Sequence, residues 1–130
     1  MTILIKHLIV FSLFFSFTVQ AGSIDYDCSV KEVILFSDPD DDEFIRKNLK
    51  KRFVLSIRES EVIETSISDF YESGTTIYNI YEKRDVFGTL RAEHDNFSEN
   101  LFLHIDTGEA VRSVQGSHYS NAWLLDCIKQ

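Results

Sequence analysis

The chain has 130 residues, with 21 Asp and Glu against 13 Lys and Arg, and a formal net charge of −8. For a chain of this length we expect one domain with one modest core. The excess of acids repels nucleic acid, so we expect no nucleic-acid partner.

Residues 1–21, "MTILIKHLIVFSLFFSFTVQA", predict a secretory signal peptide. A short basic start at Lys6 and His7 is followed by an apolar run of 12 residues, Leu8 to Val19, and by the small residue Ala21. The run is shorter than the roughly 18 to 20 residues that cross a bilayer, so we expect no stable membrane anchor. The mature protein would be a single β-rich domain, residues 22–130. The Phe-rich signal is typical of bacteria and predicts the periplasm as its location.

The mature part reads as about eight short β-strands. It contains many Val, Ile, Thr, Tyr and Phe in short alternating runs, as in "RFVLSIRE" at residues 52–59. A change of phase near Lys31 predicts a β-bulge, and "DTGE" at 106–109 predicts a hairpin turn. The fold class is mainly β, a small antiparallel β-barrel or sandwich with one short helix, closed by one disulfide.

The acidic run "SDPDDDEF", residues 37–44, precedes the one stretch with helical periodicity, for which we predict a helix from about Asp42 to Lys51. Between residues 38 and 52 five acids are followed by five bases, an order that suits the dipole of a helix. A calcium-binding hand would need Gly and a chelating acid where Glu43 and Leu49 stand. The sequence therefore favours a capped surface helix over a metal loop, with a docking role as the remaining alternative.

Cys28 and Cys127 are the two cysteines of the chain, one near each end of the mature domain. Export leads to an oxidising compartment, and two cysteines allow one pairing, so we predict a Cys28–Cys127 disulfide. It would place the first and last segments of the domain side by side.

The net negative charge comes from two stretches without Lys or Arg, residues 59–82 and 92–111. If they share a face, its field would attract a basic protein. The alternative is an ordinary soluble surface.

The sequence predicts no enzyme. Ser117 and His118 are adjacent and would point to opposite sides of an extended chain. His94, His104 and His118 lack the spacing of zinc ligands, and no pair of carboxylates is marked out for glycoside cleavage. We expect no catalytic residues, no metal and no cofactor.

The stretch "YESGTTIY" is the most suggestive candidate for partner binding. Small and hydroxyl residues at its centre are flanked by tyrosines, which provide hydrogen bonds and rigid contact area. A plain hairpin loop between core tyrosines is the alternative. The predicted binding residues are Tyr71, Glu72, Ser73, Gly74, Thr75, Thr76 and Tyr78.

"SGTTIY", residues 73–78, resembles the protruding Ser-Gly loop ending in Tyr that small exported β-barrel lysozyme inhibitors of Gram-negative bacteria insert into the lysozyme cleft. The Tyr comes one residue later here, and Trp123 is followed by "LLDC" where that family has a Trp-Lys-Gly element. Periplasmic immunity proteins that neutralise wall-degrading toxins could share the resemblance. It implies inhibition of a basic secreted hydrolase or toxin. The alternative function is a small carrier or sensor that holds an apolar ligand inside the barrel.

Overall fold

A computed structural model describes residues 22–130; the predicted signal peptide lies outside the described residues. Eight strands and one helix follow one another along the chain. Their bounds are β1 (Ile24–Leu35), α1 (Asp42–Leu49), β2 (Arg52–Ile57), β3 (Glu61–Ile67), β4 (Gly74–Arg84), β5 (Thr89–His94), β6 (Glu99–His104), β7 (Glu109–Gln115) and β8 (Ser120–Lys129). Within residues 22–130, no helix is long and apolar enough to cross a membrane.

The strands form a closed antiparallel barrel in which each strand pairs with the next one and β8 pairs with β1. The prediction of a mainly β fold of about eight strands is therefore confirmed, and the structure decides for the barrel over the sandwich. Closure leaves no sheet edge with unpaired backbone groups, which is how an all-β domain of this size avoids edge-to-edge association.

Closure of the barrel depends on the pairing of β1 with β8. Cys28 lies opposite Cys127 in this pair, and the predicted disulfide joins them across 99 positions of sequence. The register shifts between Val30 and Glu32, which confirms the bulge predicted near Lys31. A disulfide favours an oxidising, extracytoplasmic environment.

Helix α1 covers one opening of the barrel and confirms the interpretation of the acidic run. Asp41 is its N-cap, and its Oδ1 accepts a hydrogen bond from the backbone N–H of Phe44 at 3.1 Å. Glu43 and Lys47, four positions apart on the helix, form an ion pair with 2.9 Å between Oε1 and Nζ. The helix ends at Leu49, two residues before the predicted end.

The barrel interior is filled by side chains that alternate along the strands. In β2, the inward residues are those of the predicted alternation, Phe53, Leu55 and Ile57. Fully buried leucines from β5, β6 and β8 meet them to form one core.

The two ends of the barrel differ in the connections they carry. Because neighbouring strands are antiparallel, α1 and the connections 68–73, 95–98 and 116–119 all lie at one end, which we call the helix end. The short connections 58–60, 85–88 and 105–108 lie at the opposite end, the turn end. The predicted "DTGE" turn is confirmed there, since β6 ends at His104 and β7 begins at Glu109.

Candidate functional site

Exposed aromatic side chains gather at the helix end. They come from the segment before α1 and from all three other connections at this end, and each is between 38 and 67 % exposed. The five are Phe36, Phe70, Tyr71, Phe97 and Tyr119. Aromatic residues are enriched at protein interfaces, where they provide large rigid contact areas. We call these five residues the aromatic rim.

The predicted binding stretch divides between a connection and a strand. Tyr71, Glu72 and Ser73 lie exposed in the 68–73 connection, whereas Gly74, Thr75 and Thr76 are the first residues of β4. The hydroxyl of Ser68 accepts hydrogen bonds from the backbone N–H groups of Phe70 and Tyr71, at 3.0 and 3.3 Å, and so shapes the turn.

The structure corrects the place of one residue of this stretch. Gly74 is exposed and opens β4, and a Cβ there would make only an ordinary contact with the Ser66 hydroxyl at 3.5 Å. Tyr78 does not belong to the loop, because it lies in β4 with its side chain fully buried in the barrel. Alternation along the strand turns Tyr78 inward, so its ring cannot anchor a partner.

The connection 68–73 lies against the basic face of α1. Arg46 and Lys50 each approach the Phe70 ring, at 5.6 Å from its centroid. Lys51 lies 4.7 Å from the centroid of the Tyr71 ring. Burial lowers the pKa of Lys51, and the nearby charge of Arg112 lowers it further. The aromatic residues of the predicted binding stretch are therefore packed against basic side chains of α1 and of the segment that follows it.

Beneath the helix end, the barrel contains a buried ion pair. Arg112 Nε donates to Glu64 Oε1 at 2.8 Å, and the Tyr78 hydroxyl donates to Glu64 Oε2 at 3.2 Å. Burial raises the pKa of Glu64, and Arg112 and the Tyr78 hydrogen bond oppose that rise. Burial and the adjacent carboxylate raise the pKa of Tyr78, so that its hydroxyl remains a donor. Burial alone would lower the pKa of Arg112, but the charge of Glu64 and its hydrogen bond to the guanidinium outweigh burial and raise it.

Arg112 also links the barrel to the helix. Its guanidinium carbon lies 4.7 Å from the Trp123 ring centroid and 5.2 Å from that of Phe53. Trp123 Nε1 donates to Asn48 Oδ1 at 3.2 Å, and Asn48 Nδ2 donates to the carbonyl of Phe44 at 2.9 Å. A continuous set of contacts therefore runs from the interior ion pair to α1 and fixes the helix over the opening.

The network reaches the surface at Glu99. One oxygen of this carboxylate lies 3.6 Å from Arg112 Nη2, and the other lies 3.6 Å from His94 Nε2. The other nitrogen of His94, Nδ1, is 2.9 Å from the carbonyl of Ile77. The carboxylates thus surround Arg112 on its inner and outer sides.

The connection 95–98 has an unusual backbone. Asp95, Asn96 and Phe97 have φ values of 52°, 52° and 66°, a left-handed conformation that is costly for residues other than glycine. Glu93 accepts a hydrogen bond from the backbone N–H of Phe97 at 3.0 Å, and the Phe97 ring packs edge-on against Tyr81 at 5.3 Å between centroids. These contacts hold Phe97 on the surface in a defined position.

The two base-free acidic stretches do not form one face. Glu64 is buried, Asp69 and Glu72 lie at the helix end, and the Glu59 to Glu61 turn lies at the turn end. The second stretch divides in the same way, between the connections 95–98 and 105–108. Any electrostatic attraction to a basic partner would thus come from the net charge of the whole domain.

The adjacent Ser117 and His118 of the sequence analysis also lie at the helix end. Ser117 and His118 lie in the exposed 116–119 connection, beside Tyr119 of the aromatic rim. Within residues 22–130, no group of three or more His, Cys, Asp or Glu side chains is placed to hold a metal ion.

Sequence reasoning missed the buried ion pair. Its partners are 48 residues apart, but each has a local signal: Glu64 has the same strand parity as the buried Val62, and Arg112 has that of the buried Ala110. A charged residue at a strand position that points into the barrel predicts a buried partner of opposite charge, but the sequence does not show which residue that partner is.

No model of a protein family matches the sequence, and neither curated proteins nor solved structures show a significant similarity to it.

Proposed function

We propose that this protein is an exported periplasmic binding protein that inhibits a toxic or wall-degrading enzyme, as an immunity protein or lysozyme inhibitor does. The observation that carries the proposal is the aromatic rim, since four separate segments of the chain bring exposed Phe and Tyr side chains to one end of a closed barrel. A few such side chains supply most of the binding free energy at many protein interfaces.

The rigidity of the helix end supports the same function. Asn48 attaches α1 to Trp123, and Ser68 shapes the connection that carries Phe70 and Tyr71. The left-handed turn holds Phe97 in a conformation of higher free energy, as is common at binding sites. Because these groups are ordered before the encounter, little conformational entropy is lost when a partner binds.

The expected partner is a basic protein. The domain without residues 1–21 has a net charge of −9, since those residues contain one Lys and no acid. A long-range field of this sign accelerates encounter with a cationic enzyme, and added salt would slow the association.

The carrier function receives less support. The inward side chains of the strands include Tyr78, Phe53 and five leucines that are fully buried, so the barrel interior is occupied by the protein itself. A ligand inside the barrel would have to displace them.

Inhibition assays with purified muramidases, amidases and secreted effectors test the proposal. We expect one of these enzymes to be inhibited by a complex of about nanomolar affinity. Tyr71→Ala and Phe97→Ala should each weaken that complex at least tenfold, with unchanged stability. Ile128→Ala, an apolar truncation at a still more exposed position remote from the helix end, is the control and should have no effect. Equal losses in all three variants, or no inhibition of any enzyme in the panel, would refute the proposal.

A further inference from the structure

A pocket of about 380 Å³ lies on the outer wall of the barrel, near the turn end. The outward side chains of three neighbouring strands form it in two rows. In the first row Glu82, Arg91 and Phe102 are opposite one another, because Glu82 pairs with Arg91 and Arg91 with Phe102. In the second row Arg84, Thr89 and His104 are opposite one another in the same way. We call this the outer-wall pocket.

Among the side chains that line the outer-wall pocket, two arginines accompany one carboxylate, although the protein is acidic overall. Arg84 Nε and Arg91 Nε lie 3.1 and 3.5 Å from the same atom, Glu82 Oε1. Among residues 22–130 the ion pairs of both arginines are to this one carboxylate, and both arginine side chains are more than half exposed. The lining therefore has two guanidiniums for one carboxylate, a surplus of one positive charge. The ion pairs with Glu82 are made by the Nε atoms, so the terminal Nη groups of both arginines can donate to the two oxygens of a bound carboxylate.

A third donor faces the same space. The backbone N–H of Thr107 is 3.4 Å from His104 Nδ1, which therefore acts as an acceptor in the neutral ring. The proton of that ring is then on Nε2, and a protonated ring also donates from this nitrogen. His104 lines the pocket, so this ring N–H is available as a third donor to a ligand there.

Two aromatic rings give the pocket an apolar part. Phe102 lies under Arg91, with 5.3 Å between the guanidinium carbon and the ring centroid. Phe87, which is 61 % exposed, comes from the 85–88 connection. That connection is fixed by the bond from Phe87 N to Arg84 O at 3.2 Å and by the bond from Ile105 N to Gly88 O at 2.6 Å. The backbone of the turn that carries Phe87 is thus held by hydrogen bonds at both of its ends.

From these contacts we infer that the outer-wall pocket binds a small carboxylate with an aromatic or branched apolar body. The guanidiniums and His104 would hold the carboxylate, and Phe87 and Phe102 would contact the body. The pocket lies at the opposite end of the barrel from the aromatic rim, so this inference is independent of enzyme inhibition.

Titrations followed by ¹H–¹⁵N NMR test the inference, because the Nε–H groups of Arg84 and Arg91 give their own signals. The probe is N-acetyl-L-phenylalanine. Two control compounds separate its parts: N-acetyl-L-phenylalaninamide has the aromatic group without a carboxylate, and acetate has a carboxylate without the aromatic group. We expect saturable shifts of both arginine signals with a Kd below about 1 mM for the first compound. The amide should cause no saturable shift, and acetate should bind at least tenfold more weakly.

Variants locate the site. Arg91→Gln and Phe102→Leu should each weaken probe binding about tenfold while the rest of the spectrum keeps its dispersion. Arg58→Gln is the matched control, because Arg58 is an equally exposed arginine paired with one carboxylate, Glu61. The inference is overturned if acetate binds as tightly as the probe, if no shift saturates, or if Arg58→Gln weakens binding as much as Arg91→Gln.

Discussion

Inside the barrel, the guanidinium Nε of Arg112 lies 2.8 Å from Oε1 of Glu64, although 48 residues separate them in the chain. Each charge is removed from water, and each is acceptable there only because of the other. The pair lies under α1 and connects β3 to β7 across the interior. Its removal tests how far the helix end depends on buried charge.

Replacement of one partner should be far more costly than replacement of both. Arg112→Met leaves a buried carboxylate without its counter-charge, so we expect a loss of about 3–5 kcal/mol in the free energy of unfolding, measured with urea. The double variant with Glu64→Leu should recover most of that loss. Arg58→Met, which breaks an exposed pair, should cost no more than about 1 kcal/mol. A loss in Arg112→Met as small as that in Arg58→Met would contradict the buried pairing.

The free energy of unfolding should depend on pH in the way that the raised pKa of Glu64 requires. Burial raises its pKa above the ordinary value of 4.5, so folding favours the protonated carboxyl. The stabilisation from this proton is complete below the pKa of the unfolded chain and is lost as pH rises through the folded pKa. We therefore expect the wild type to lose stability relative to Glu64→Gln as the pH rises above about 4.5, as measured by urea unfolding at several pH values. A difference that is constant with pH, or of opposite slope, would show that the pKa is not raised.

Asn48 should report on the attachment of α1. Its side chain is fully buried and accepts the Nε1–H of Trp123, the one tryptophan of the chain. Asn48→Ala leaves that N–H without its acceptor, so we expect a loss of about 1–3 kcal/mol and a shift of tryptophan emission to longer wavelength as water reaches the ring.

Lys50→Ala is the control for this change, because Lys50 is an exposed residue at the end of the same helix. It should leave the tryptophan emission unchanged and the free energy of unfolding within about 0.5 kcal/mol of the wild type. An unchanged emission spectrum in Asn48→Ala would mean that α1 is held by other contacts.

Two glycines should respond in opposite ways to alanine. Gly108 has a φ of +76°, and a Cβ there would clash with the carbonyl oxygen of Cys127. Gly108→Ala should therefore cost more than about 2 kcal/mol in thermal or urea unfolding. Gly74→Ala should change stability by about 0.5 kcal/mol or less, since space for a methyl group exists beside Ser66. Equal effects of the two substitutions would contradict the described backbone at these positions.

The disulfide should hold the barrel closed. Replacement of Cys28 and Cys127 by Ser removes a crosslink that spans 99 positions, and the expected loss is about 2–5 kcal/mol. Hydrogen exchange should rise most in β1 and β8, the two strands that the crosslink joins. Reducing agent should lower the stability of the wild type and leave the Ser variant unchanged. Uniform exchange over all eight strands in the Ser variant would indicate that the crosslink acts on the unfolded chain alone.

The strands and the helix were predictable because their signals are local. Alternation in "RFVLSIRE" marks the inward residues of β2, and the change of phase at Lys31 marks a bulge that the register of β1 against β8 confirms. The order of acids before bases marked α1, with Asp41 as its cap. Each of these features depends on residues a few positions apart.

The candidate site was only partly predictable. Tyr71 is exposed in a connection as expected, but Tyr78 has the strand parity that points inward, and nothing in "SGTTIY" shows where the strand begins. The left-handed backbone of residues 95–97 was also not predicted: Asp95 and Asn96 are residue types that tolerate this conformation, but Phe rarely adopts it. Its partners, Glu93 and Tyr81, lie on two different strands.

By itself, the sequence determined the β class, the number of strands, the helix and the pairing of Cys28 with Cys127. These follow from periodicity, composition and cysteine count. Only the tertiary structure decided that the sheet closes, that the aromatic rim lies at one end, and that the acids of residues 59–82 and 92–111 are divided between both ends. Closure fixes which strands are neighbours and which connections share an end, and this arrangement depends on contacts between residues far apart in the chain.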